Sequence, residues 1–198
     1  MRLWRRGGPS KYALALEWLS YARNRLRCRP EYVLFDAWYP SKALLKRVRD
    51  DGWYVVCRLK KNRRFNGQAL RMYRRHPYGI ERGWLTGGLN VLVVRDGAQY
   101  FATNRLTLAA PEVRRLYAFR TQIEAVIRVC KDQLGLTGCQ ARSERAQLHH
   151  MACCLTAFCV LEHERHERNL SIYKLKRLLS FQERSLALPA LERLRTAA

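Results

Sequence analysis

Tyr117, Arg120, Glu124 and Lys131 stand at offsets 0, 3, 7 and 14 in the stretch YAFRTQIEAVIRVCK. At about 100° per residue, an α-helix brings all four within an arc of about 60°. Such a face carries a phenol, a guanidinium, a carboxylate and an ammonium. A lone carboxylate among these groups suits a metal ligand surrounded by phosphate contacts. A solvated helix face with an Arg120–Glu124 pair at i,i+4 suits the same residues, and spacing alone leaves both readings open. Beside them runs an apolar stripe of Leu116, Phe119, Ile123, Ile127, Cys130 and Leu134. It predicts one amphipathic helix docked on a core, closed by Gly135. A second carboxylate, Asp36, ends the short apolar run of residues 32–35. The C-terminal end of a buried strand is where α/β sheets place ligand groups, although a turn or N-cap Asp is a common alternative.

The elements that must hold these groups follow in chain order. Residues 1–8 are basic and Gly-rich. Pro9-Ser10 opens a helix to about Leu26, stopped by Cys28-Arg29-Pro30. After the strand that ends on Asp36, Ser41 N-caps a helix with Leu44, Leu45 and Val48 inward, and Asp51-Gly52 ends it. Residues 53–59, WYVVCRL, read as a second strand. The order α-β-α-β predicts parallel strands joined by a helical crossover. Lys60, Lys61 and Arg63 in the loop KKNRR then read as phosphate contacts rather than a merely solvated loop.

Residues 65–83 read as irregular, with Asn66-Gly67, Pro77 and Gly79 as turn signals. Residues 84–85, 89–94 and 99–103 predict a small antiparallel set with Asp96-Gly97 at its hairpin. Pro111 falls near the first turn of the signature helix. A helix over about 143–167 is apolar enough for a core position. His149, Cys153, His163 and His166 lie near one side of it. A zinc site usually gathers ligands from two elements, so a polar flank with small core residues is the reading taken. A shorter amphipathic helix around 172–179 and a Leu/Arg tail complete the chain.

Charge is the compositional outlier: 38 Lys and Arg against 16 Asp and Glu leave a net +22 over 198 residues. A polyanion is the expected partner, and Arg favours bidentate phosphate contacts. An anionic membrane surface is the rival, but no long basic amphipathic anchor stands out. Residues 151–161 form the longest apolar run, which is too short to span a bilayer. Seven irregularly spaced cysteines predict reduced, mostly buried thiols in a cytosolic protein.

The pattern Y-x2-R-x3-E-x6-K resembles the signature helix of insertion-sequence transposases with a DDE catalytic triad and a YREK motif. YVLFDAWYPSKALLKRV, residues 32–48, resembles the segment holding the second Asp of that triad. NVLVVRDGAQYFATN, residues 90–104, resembles the β-insertion before the Glu helix. The resemblance spans roughly residues 9–165. It implies an α/β, RNase H-like catalytic core with a small antiparallel β-insertion at about 60–104 and C-terminal helices. Residues 1–166 would form a partial catalytic domain, and residues 167–198 a helical tail.

The resemblance also implies chemistry. Such enzymes break phosphodiester bonds with two Mg²⁺ (or Mn²⁺) ions about 4 Å apart. Asp36 becomes the second Asp and Glu124 the Glu, both metal ligands. Tyr117, Arg120 and Lys131 become contacts to transposon-end phosphates. Trp84 could stack on an unpaired base, but a hairpin core residue is the stronger reading. DNA is the implied partner, with a homodimer in a synaptic complex, in a bacterial, nucleoid-associated setting.

One departure stands out: the family's first Asp has no match, since the only carboxylate upstream of the strand ending on Asp36 that comes into question, Glu17, lies inside a predicted helix. The expected chain is therefore truncated at its N-terminus, inactive alone, and left with an exposed sheet edge. Three readings follow: a transposase fragment, the C-terminal half of a transposase completed by frameshifting or in trans, and a non-catalytic basic DNA-binding protein with structural Asp36 and Glu124.

Overall fold

A computed structural model describes residues 7–73 and 78–181. The described chain divides into two compact units, one running to Gln122 and the other starting at Ile123. The first opens with α1, Lys11–Asn24, whose N-cap Ser10 accepts from the Ala13 N–H at 3.1 Å. It continues through β1, Tyr32–Phe35; α2, Lys42–Asp50; β2, Tyr54–Leu59; β3, Arg64–Phe65; and β4, Gln68–Ala69. A 3-10 turn at Leu70–Met72 precedes β5, Tyr78–Leu85; β6, Leu89–Asp96; β7, Gln99–Thr103; and α3, Ala110–Ala118. The expected parallel pair with a helical crossover is present: Tyr32 to Phe35 of β1 register against Tyr54 to Cys57 of β2.

The antiparallel strands are not a separate set. One seven-stranded sheet runs β1-β2-β7-β6-β5-β3-β4. Residues 78–83, expected to be irregular, are the first part of β5 and pair along their length with β6. Gly79, read as a turn signal, obscured that strand in the sequence. Gly83 is there for space: a Cβ would fall 2.4 Å from the Asn66 amide and 2.6 Å from the Phe65 ring. Asn66 and Gly67 both take positive φ, 47° and 82°, as the tight β3–β4 turn requires.

Period-two alternation fixes which side chains go to which face. Val55, Cys57 and Leu59 of β2 join Val91 and Val93 of β6 in a core under Leu45 and Val48 of α2. Val56, Leu92 and Val94 face the other way and pack with Val113 of α3. Strands β2 and β6 are thus covered on both sides, and each fully buried valine contributes about 1.5–3 kcal/mol of apolar burial. Burial also pushes the Cys57 thiol up to about 12. Beyond the last β2–β7 pair, the Asn104 amide completes the ladder. It accepts from the Val55 N–H at 2.7 Å and donates to the Trp53 carbonyl at 3.2 Å.

The second unit contains α4, Thr121–Gln133, from Ile123 onward; α5, Glu144–Glu167; and a helix at residues 172–181. Leu161, Ile172 and Leu175 form its core with Val129, Leu134 and Phe158. Gly135 closes α4 as expected, at φ 70°, with the Leu136 N–H on the Cys130 carbonyl at 2.9 Å. Only Cys154 and Leu161 of α5 are buried, so this is not the core helix its composition predicts. The Leu/Arg tail expected beyond residue 181, the basic start at residues 1–6 and the Pro77 turn signal lie outside the described residues. No helix among the described residues is long and apolar enough to cross a membrane.

The single signature helix is corrected. The chain breaks between α3 and α4, where the Phe119, Arg120 and Gln122 N–H groups bond three residues back, at 3.2, 3.0 and 3.1 Å. The Thr121 hydroxyl donates to the Ala118 carbonyl at 2.7 Å, the kind of local bond that competes with a continuous helix. Phe119, Ile123 and Ile127 of the expected buried stripe are exposed. The thiols also differ from expectation: Cys57, Cys130 and Cys154 are buried, while Cys28, Cys153 and Cys159 are exposed.

Two expectations follow. Asn104→Ala leaves a buried strand N–H unpaired and should lower stability by about 1–3 kcal/mol in urea titration. Native alkylation followed by mass spectrometry should label Cys28, Cys153 and Cys159 and spare Cys57, whose burial disfavours the reactive thiolate.

Candidate functional site

β1 is apolar for four residues and then meets Asp36, so the carboxylate emerges at the C-terminal end of a parallel strand. The chain turns sharply there. Asp36 Oδ1 accepts from the Trp38 N–H at 2.8 Å, and the Tyr39 N–H reaches the Asp36 carbonyl at 3.3 Å. The turn leads through Pro40 to Ser41, whose hydroxyl caps α2 at the Leu44 N–H, 3.3 Å away. The bland reading of Asp36 as a turn residue is therefore correct in geometry. Its side chain nonetheless keeps 23 % exposure, and its second oxygen lies 3.5 Å from Arg120 Nη2.

Arg120 follows α3, and one turn before it stands Tyr117. The Tyr117 ring packs against Phe101 of β7 at a centroid distance of 4.9 Å. Burial raises its phenol above the ordinary tyrosine range; Arg58 and Arg120 pull the other way, and the Asp36 charge adds to the rise. Three residues expected to act together, Asp36, Arg120 and Tyr117, thus share one end of the sheet. Arg58 joins them and was missed. It lies two residues after Val56 on β2 and so shares the α3 face, a placement its alternation with Val56 could have revealed.

Glu124 and Lys131 stand on α4 in the second unit, both exposed, two turns apart on one helix face. Lys60 and Lys61 are exposed in the loop after β2, with Arg63 partly buried beside them. The Lys60 ammonium sits over the Trp38 ring, 3.7 Å from its centroid. Trp84 is not the hairpin core residue expected: its side chain on β5 is 56 % exposed, while its N–H bonds the Asn66 amide oxygen at 2.7 Å.

The carboxylate of Asp36 offers the hard oxygens that Mg²⁺ requires. Both oxygens are engaged by the chain itself, one by the Trp38 N–H and one by Arg120. Among the described residues, no three His, Cys, Asp or Glu side chains gather into a set that could hold a metal ion. Asp36 by itself does not make a Mg²⁺ site, which takes several oxygen ligands. His149 and Cys153 on α5 are 3.7 Å apart, as are His150 and Cys154. These are i,i+4 pairs along one helix.

A family model described as Transposase DDE domain matches residues 7–160. The match takes in the whole of the first unit from Gly7 and reaches into α5. No curated protein is matched by the sequence.

The raised Tyr117 phenol gives a sign to the alkaline response. Above the ordinary value of about 10, the unfolded chain releases this proton while the folded chain keeps it, so stability falls as pH rises through the raised value. Urea midpoints measured between about pH 9 and about pH 11 should fall less steeply in Tyr117→Phe than in the parent.

Proposed function

The chain belongs to the Transposase DDE domain family, and from that premise we propose that it handles DNA in the transposition of an insertion sequence. Asp36 and Glu124 take the positions of the family's second Asp and its Glu. Tyr117, Arg120 and Lys131 hold phosphates, together with Lys60, Lys61 and Arg63 of the loop after β2. The observation that carries this reading is the meeting of Asp36 with Arg120, 84 residues apart in sequence, at the end of β1. Two motif segments that resemble the family separately also converge in space.

The chemistry of the groups supports phosphate binding. The Arg120 guanidinium is charged at every accessible pH and presents planar paired donors. Tyr117 stays protonated at neutral pH and so remains an O–H donor to a phosphate oxygen. The net charge of +22 adds a long-range attraction for DNA. In the family, phosphodiester cleavage uses divalent metal; here we assign the isolated chain a holding role without cutting. Its support is the Arg120 guanidinium beside Asp36, a cation that competes with a metal ion for the same carboxylate.

A second reading has its own observation. Asp36 ties the β1–α2 turn through the Trp38 N–H, as a structural carboxylate would. A basic DNA-binding protein in which Asp36 and Glu124 are structural accounts for that bond equally well. A third arrangement supplies a further strand from elsewhere against β1, which ends the sheet among the described residues.

Two measurements test the proposal. Duplex binding should weaken with salt, with a log–log slope of about −4 to −5 if roughly five cations each neutralise a phosphate; a flat response contradicts DNA handling. Supercoiled plasmid incubated with the chain and Mg²⁺ should stay intact. Nicking that disappears in Asp36→Ala would overturn the assignment of an uncutting chain.

A further inference from the structure

We propose that Cys153 and Cys139 form a dithiol that exchanges with small disulfides, with His149 as the base for Cys153. None of the three is among the groups assigned to DNA. His149 and Cys153 stand four residues apart on α5, so one face of the helix presents both. Cys153 Sγ lies 3.7 Å from His149 Nε2, within reach of a thiol hydrogen bond. Both side chains are exposed. Both line an open cleft of about 480 Å³ together with Cys139.

The neighbouring pair shows what makes this one available. His150 and Cys154 are also 3.7 Å apart. The Cys154 thiol, however, is buried and donates to the Leu134 carbonyl at 3.2 Å. His150 bonds the Gly135 carbonyl at 2.9 Å. That pair fastens the end of α4 to α5, whereas His149 and Cys153 meet at the surface. Cys28 and Cys159 are exposed too, but among the described residues neither is hydrogen-bonded to an imidazole.

Cys139 reaches the same cleft on the α4–α5 connection, residues 134–143, and is half-buried there. The connection is tied to α5 on either side of it. His150 holds Gly135, and the Gln147 amide donates to the Ala141 carbonyl at 2.9 Å. A second thiol is therefore held beside the turns of α5 that carry His149 and Cys153.

The exchange follows from these three groups. With its proton on Nδ1, the His149 imidazole accepts the Cys153 proton at Nε2. The resulting thiolate is the form that attacks a disulfide. It bonds one sulfur of the small disulfide, whose S–S bond breaks, and the departing thiolate takes the proton from the imidazolium. Cys139 then attacks the Cys153 sulfur and expels the second small thiolate, which receives the Cys139 proton. Two protein thiols are oxidised to one disulfide, and the small disulfide is reduced to two thiols.

The test treats the reduced full chain with oxidised glutathione, quenches with iodoacetamide in denaturant at set times, and maps each cysteine by mass spectrometry. Cys153 should react before Cys28 and Cys159, and the parent should end with a Cys139–Cys153 disulfide. Cys139→Ser should leave glutathione on Cys153. His149→Ala should slow the first step at Cys153 by about tenfold, with Cys28 and Cys159 unchanged. That is less than the roughly 100-fold of a well-placed base, because 3.7 Å is a long contact. Thermal melting of each variant checks that the fold is kept. Cys153 reacting no faster than Cys28 and Cys159 overturns the proposal, as does an unchanged rate in His149→Ala. Glutathione that stays on Cys153 in the parent, with Cys139 still free, overturns it as well.

Discussion

The parallel pairing of β1 with β2 is the constraint on which the rest depends. Parallel neighbours need a crossover, and α2 supplies it, capped by Ser41 and buried through Leu44, Leu45 and Val48. With that crossover in place, β1 must end where the chain turns toward α2. Asp36 occupies that end, so its position follows from topology. β2 in turn is anchored on its other side by β7, in antiparallel register from Val56↔Thr103 to Leu59↔Tyr100. Its side chains enter the two cores on opposite faces of the sheet. Apolar burial on both faces is the main force holding the strand that positions Asp36.

Around that strand end, charge is arranged in a consistent way. Asp36 is a carboxylate in a strongly basic chain, and Arg120 is its close cation. Arg58 and Arg120 both act on Tyr117, and burial keeps that phenol neutral. The loop after β2 adds Lys60, Arg63 and Arg64 along a cleft beside Trp38. These groups give the end of the first unit a dense array of donors with one carboxylate among them. An array of this composition favours the phosphates of DNA.

Much of this was legible in the sequence where local rules and tertiary packing agree. Ser10, Ser41 and Ser143 cap their helices as their positions predict. The strand before Asp36 and the parallel crossover follow from short apolar runs separated by a capped helix. The family match also bears out the resemblance carried by Tyr117, Arg120, Glu124 and Lys131. The rest was hidden for physical reasons. Periodicity continued the signature helix through Phe119, because a Thr121 hydroxyl that takes a backbone carbonyl leaves no trace in hydrophobic spacing. Gly79 read as a turn signal although β6 holds that strand in full register. Arg58 was passed over because its role depends on neighbours far along the chain.

On the proposed reading Asp36 and Arg120 act as one unit, the carboxylate tempering a guanidinium offered to phosphate. A double-mutant cycle on duplex affinity tests it most directly, with Asp36→Asn, Arg120→Ala and the pair. Asn keeps an oxygen for the Trp38 N–H and removes only the charge. The account predicts that Asp36→Asn tightens binding while Arg120 is present and does nothing in its absence, a coupling of about 0.5 kcal/mol or more. An equal effect of Asp36→Asn with and without Arg120 would contradict it.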